Sequence, residues 1–193
     1  MSLSRAERTA LLDWIASAEP LRGTYFRSVE YRYMDPDEVL SGAGTAALGG
    51  RFAPVGTLAV YLSATDSGTG TELLARKARL GGSPQITIDK YPRVVFGVQV
   101  DLNRVIDFST GYVPPELTNM RDRCLASDAL DASMAVAAEL IAARMQAVIF
   151  PSVVGGADNL VVYLANCGPG TLKIHNASAL ISKAKRIAAK AKR

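Results

Sequence analysis

Apolar residues recur at helical spacing near the start of the chain, where Leu11, Leu12 and Ile15 fall on one face. This predicts a helix over 5–18 that ends near Pro20. The period then shortens. The stretches at 23–29 (GTYFRSV), 57–63 (TLAVYLS), 85–88, 93–100 (RVVFGVQV), 147–150 and 160–164 are apolar and β-branched, and predict strands, with a further short one at 172–174. Helical patterns return at 70–79, in an Ala-rich run at 131–145 and from about 177 to the end. Between them, 34–56 is rich in glycine and small residues, and 101–127 is mixed, with a break at Pro114-Pro115. A long irregular stretch inside a folded domain is more often functional than idle. Strands and helices do not alternate regularly, which disfavours a doubly wound parallel sheet and favours a mixed α+β domain. No internal repeat or linker divides the chain, so residues 1–193 read as one domain with an N-terminal helix within 1–20 and a basic helix over 177–193.

Composition narrows the chemistry more than the architecture. Hydrophobic residues at 49% and charged residues at 21% describe a soluble globular chain, not a disordered one. No apolar run is long enough for a membrane helix, and the N-terminus lacks a secretory core, so a cytoplasmic location is expected. The two cysteines, Cys124 and Cys167, lack metal-ligand spacing and read as ordinary thiols. With His175 as the only histidine, a zinc centre or a histidine-based triad lacks partners, and no metal is expected. The net charge of +4 is local in origin. Residues 183–193 hold six basic side chains and no acidic one, which leaves the remainder slightly acidic. Such a tail suits a nucleic acid or an acidic partner, or simply the solvated end of a helix.

Six polar residues set among apolar neighbours are the candidates for chemistry: Arg27 in the first strand, Arg51 after Gly49-Gly50, Tyr61 in an apolar strand, Glu72 early in a helix, Ser152 after Pro151 and Asn159 before LVVYL. A guanidinium on a strand is a fixed fork for phosphate oxygens. Paired glycines let backbone approach a ligand closely. Each residue also has a structural explanation. Arg27 and Glu72 could be an ion pair, Tyr61 core, Ser152 a turn cap and Asn159 a turn residue.

The order of these residues carries more than any one of them. Phe26-Arg27, the loop GAGTAALGGRFAPVG, the strand VYLS, Thr71-Glu72 and the later FPSVVGGADNLVVYL resemble, in sequence and spacing, the RES domain family, named for an Arg, a Glu and a Ser. The resemblance runs over about 23–166. It departs from the family at Ala53, where the loop normally carries Asn. Tyr31-Arg32-Tyr33 offers a second aromatic–arginine match beside Phe26-Arg27, and Ser133 competes with Ser152 for the serine role.

The resemblance implies a split, mixed sheet like those of ADP-ribosyltransferases and diphtheria-toxin-like enzymes. It implies a toxin of a toxin–antitoxin pair that consumes NAD⁺ as substrate. It also implies a hetero-oligomer with an antitoxin that carries a DNA-binding domain and covers the active site. In that setting Glu72 would stabilise the ribosyl cation, Arg27 and Arg51 would clamp the pyrophosphate, Tyr61 would pack on nicotinamide or ribose, and Ser152 and Asn159 would hold the amide or ribose. Loss of neutral nicotinamide needs no general acid, so one carboxylate suffices where ordinary glycosidases use two. The acceptor stays open between water, phosphate and a protein side chain. Beside these enzymatic readings stands a non-enzymatic binding module that uses the basic tail.

Overall fold

The computed structural model describes residues 3–69, 93–109, 111, 113–126, 130–152, 156–175 and 178–182. Helix α1 (Arg5–Ile15) starts in a capping box. The Glu7 amide donates to the Ser4 hydroxyl at 3.2 Å, and the Ser4 amide donates to the Glu7 carboxylate at 2.9 Å. Leu11 and Ile15 are buried, whereas Leu12, expected on the same face, is 46% exposed.

The helix ends earlier than expected because the chain is already a strand at Pro20. Strand β1 (Glu19–Glu30) pairs with β3 (Arg93–Asp107) in an antiparallel ribbon running from Glu30↔Arg93 to Glu19↔Val105. Pro20 falls where the register shifts between Glu19 and Leu21, a place that tolerates a residue with no amide donor.

The sheet then closes on itself. β3 pairs in parallel with β4 (Ala147–Pro151), β4 antiparallel with β5 (Asp158–Tyr163), and β5 antiparallel with β2 (Ala59–Ser63). β2 returns to β1 at one register position, Phe26↔Ser63. This thin seam is where the ring closes. β6 (Leu172–Ile174) lines up on β3 at Val98–Val100, beyond the reach of β4. The parallel pair of β3 and β4 needs a long crossover, and helices α4 (Thr118–Leu125) and α5 (Asp131–Ala142) supply it.

Alternation along the strands separates two cores. Val60, Leu62, Val98, Val100, Leu102, Leu160 and Val162 fill the inside of the ring. On the outside, Leu11, Phe52, Phe108, Leu117, Met120, Val136, Leu140, Val161 and Tyr163 pack between sheet and helices. Phe52 is the hub, 4.9 Å from the Phe108 ring and 5.0 Å from Phe150. Leu180 and Ile181, in the helical stretch 178–182, pack on a third group formed by Val29, Met34, Val39 and Phe96.

The glycine-rich stretch is more ordered than its composition suggests. It folds into α2 (Pro36–Val39), capped by Asp35, and α3 (Ala43–Leu48). Among the described residues no helix is long and apolar enough to cross a membrane. The predicted strand at 85–88, the predicted helix at 70–79 and the basic tail 183–193 lie outside the described residues.

Candidate functional site

After α3 the chain turns sharply at Gly49-Gly50. The Gly50 amide donates to the Ala53 carbonyl at 2.8 Å and the Ala53 amide donates back at 3.0 Å, which makes Arg51-Phe52 the tip of a two-residue turn. Phe52 takes the left-handed conformation, φ 59°, an uncommon state for a bulky residue. It is held there by its buried ring and by the Tyr163 hydroxyl, which donates to its carbonyl at 2.9 Å. Ala53 is fully buried in the outer core. Its methyl group fits an apolar site that an amide side chain would enter at a desolvation cost.

Tyr61 lies beneath this turn. Its hydroxyl donates to the Arg51 carbonyl, and a Cβ on Gly50 would sit 2.6 Å from the Tyr61 hydroxyl oxygen, so only glycine lets the turn settle on the ring. The Arg51 guanidinium in turn donates to the Cys124 carbonyl at the end of α4. Burial pushes the Cys124 thiol up to about 12, so it stays protonated.

Arg27 joins this chain of contacts from the seam. Its Nη1 donates to the Tyr61 carbonyl at 3.0 Å. Its Nε is buried without a hydrogen-bond partner among the described residues. Burial first, and the nearby Arg93 second, lower its pKa to about 10. Arg93 is itself held over β1: Nε donates to the Ser28 hydroxyl at 2.8 Å and Nη2 to the Ser28 carbonyl at 2.7 Å.

The remaining candidates fall into place around the same seam. Cross-strand register puts Phe26, Ser63, Asn159 and Phe150 in one row across four strands, on one face of the sheet. Asn159 and Ser63 are buried in that row. Ser152 follows β4, and its amide donates to the Ala157 carbonyl at 3.2 Å to close the PSVVGGADN loop at its base. The structure thus links Arg27, Tyr61 and Arg51 directly and sets Asn159 in the same sheet region. Glu72 lies outside the described residues.

The alternatives separate by environment. Arg32 sits in a 3-10 turn (Tyr31–Tyr33) at the surface, 2.9 Å from Glu30 and 4.7 Å over the Tyr33 ring. Ser133 is buried in α5 and donates to the Leu130 carbonyl at 2.9 Å. Reading the sequence missed Arg93, which shows itself only through its pairing with β1. It also missed the carboxylates Asp107 and Asp158, which stand near Tyr25. Burial, together with Asp107, raises the Asp158 pKa. Burial first, then both carboxylates, raises that of Tyr25. Among the described residues no group of His, Cys, Asp or Glu is gathered to hold a metal ion.

A mixed sheet that closes at one seam, with a half-buried arginine in the seam and a glycine turn above it, defines an α+β fold. The chain belongs to the RES domain family, whose model matches residues 24–180. No curated protein matches it. Among solved structures it is similar to a chain of the M. tuberculosis MbcT–MbcA toxin–antitoxin complex. The TM-score is 0.72 at 21% identity, over 90% of this chain and 97% of that one.

Proposed function

We propose that this chain cleaves the nicotinamide–ribose bond of NAD⁺, passes ADP-ribose to water or phosphate, and serves as the toxin of a toxin–antitoxin pair. The observation that carries this reading is the state of Arg27. A guanidinium held in the seam, with its Nε unpartnered among the described residues and with a second arginine as a charged neighbour, is a site prepared for an anion. Membership in the RES family and a fold shared with a chain of a toxin–antitoxin complex support the same reading.

The chemistry asks little of the protein. Nicotinamide is a cationic pyridinium in NAD⁺ and leaves neutral, so no acid is needed to release it. What is needed is a negative group beside the ribosyl cation as charge develops there, which usually supplies a large share of the rate. Glu72 takes that role in this proposal. Arg27 holds the pyrophosphate, with Arg51 at the glycine turn above it. Tyr61 supports the turn and faces the nicotinamide ribose. Ser152 and Asn159 bind the carboxamide or ribose hydroxyls. An antitoxin would silence the enzyme by covering the seam.

The test is nicotinamide release from NAD⁺ by the purified protein, with and without phosphate, beside Glu72→Ala. Release by the wild type and loss in the variant are expected. No release under either condition would overturn the proposal. Transfer of labelled ADP-ribose to one cellular protein, with little bulk turnover, would replace it with a protein-modifying transferase.

A further inference from the structure

We propose that the cavity over Gly97 binds a flat heteroaromatic ring, one of the two ring ends of the dinucleotide. This deepens the reading above and rests on it. The cavity measures about 370 Å³ and is lined by Phe26, Asp66, Ser67, Val95 and Gly97. That volume falls within the range of small-molecule pockets. Its floor is the ribbon of β1 and β3, where Phe26 pairs with Gly97 and Ser28 with Val95, and paired residues share one face of the sheet. Phe26 and Val95 supply an aromatic and an aliphatic wall. Asp66 and Ser67 add a polar rim, in which the Ser67 amide donates to the Asp66 carboxylate at 2.7 Å.

Gly97 is the informative residue. It lies inside β3, its carbonyl accepts from the His175 amide at 2.9 Å, and its φ is outside the left-handed region. The backbone therefore has no need of glycine there, and neither do its neighbours. Among the described residues, a Cβ at Gly97 would meet only Thr24 Cγ2 at 3.5 Å and His175 Cβ at 3.9 Å, both ordinary contact distances. No atom of Phe26, the cross-strand partner, comes within 4 Å of that position, so its ring leaves the glycine uncovered. Glycine inside a strand weakens it, and it marks places where another backbone or a ligand approaches closely. Both atoms near this position belong to side chains, which leaves the ligand. The cavity also belongs to the candidate site by register. The row through Gly97 and Phe26 runs on across the seam to Ser63 and Asn159. Neighbouring strands stand about 4.8 Å apart, so Asn159 lies about 14 Å along the row from Gly97. That span suits an extended ligand with a ring at its end.

The experiment measures equilibrium binding of nicotinamide, adenosine and ADP-ribose to the wild type, Gly97→Ala and Gly97→Val. The KM and kcat of nicotinamide release and the unfolding midpoint are recorded beside it. Gly97→Ala has room for its methyl group and should keep or raise the midpoint. Gly97→Val fills the floor and should lower affinity for the ring that sits there by about tenfold or more, with KM raised by more than kcat falls. Loss confined to nicotinamide assigns the pocket to that end of the dinucleotide. Loss of adenosine and ADP-ribose together assigns it to the adenine end. Should Gly97→Val fail to fold, the wild type still decides, because the Gly97 Hα signals should move upfield as the ring of a bound probe comes to lie over them. No binding of any probe to the wild type, unchanged binding in folded Gly97→Val, or Gly97 signals that stay still as the probes saturate would each overturn the inference. A wild type that binds a ring over Gly97 but releases no nicotinamide would sink the enzymatic reading and leave the pocket standing. Nicotinamide release with an unaltered KM in folded Gly97→Val would do the reverse.

Discussion

The Arg27 guanidinium crosses the seam to the Tyr61 carbonyl, 3.0 Å away, and so ties β1 to β2 near the one place where those strands pair. The tie is made by a charge in a poorly solvated place, and stability and function should therefore respond in opposite directions. Arg27→Met keeps the volume and removes the buried charge. It should abolish nicotinamide release yet leave the fold as stable or raise its stability by about 1 kcal/mol, because burying an uncompensated charge is costly. Urea unfolding beside the release assay checks both. A strongly destabilised Arg27→Met would mean that the residue is structural.

The glycine turn rests on one ring. Tyr61→Phe removes the hydroxyl that donates to the Arg51 carbonyl and should cost about 1 kcal/mol, the typical worth of such a bond, together with activity. Gly50→Ala should be worse, since its new methyl group would lie 2.6 Å from the Tyr61 oxygen and displace turn or ring. Near-normal kcat/KM in Gly50→Ala would refute the placement of this turn over the site.

The two serines predict different losses. The Ser133 hydroxyl bonds a backbone carbonyl in its own helix, so Ser133→Ala should shift stability by less than about 1 kcal/mol and leave activity intact. Ser152→Ala should lower activity with little effect on the unfolding midpoint. The reverse result would assign the family's serine to position 133.

Alkaline pH probes the buried thiol. Burial raises the Cys124 pKa from its ordinary 9.0 to about 12 in the folded chain. The unfolded chain then loses this proton first. The contribution of Cys124 is whole below pH 9 and is lost as pH rises toward 12. Stability should fall across that window less steeply in Cys124→Ala than in wild type. In the native protein at pH 8 the thiol should resist alkylation and react only on unfolding.

Much of this fold can be read along the chain, for reasons that particular residues make clear. β2, β4 and β5 are short apolar runs whose neighbours in the sheet are equally apolar, and their boundaries agree with the pattern to within about two residues. β3 extends seven residues past its expected end at Val100, reaching Asp107, because the alternation in DLNRVID slips phase. Leu102 and Val105 are both buried although three positions separate them, and the same slip appears as the register shift against β1. The site divides in a similar way. Arg27, Arg51, Tyr61 and Asn159 belong to short motifs and show themselves locally. Arg93 lies 65 residues from Ser28, and only pairing at that separation brings the two together.

The closing of the ring also fixes when the site can exist during synthesis. β1 emerges early, but its main partner β3 starts at Arg93, and the row through Ser63 is complete only when β5 delivers Asn159. A ribosome must therefore extend the chain as far as β5 before the strands around Arg27 are all paired. Long-range pairing of this kind makes folding late and slow. A nascent fragment holding Arg27, the glycine turn and Tyr61 would thus lack β3, β4 and β5, the strands that close the ring around the seam.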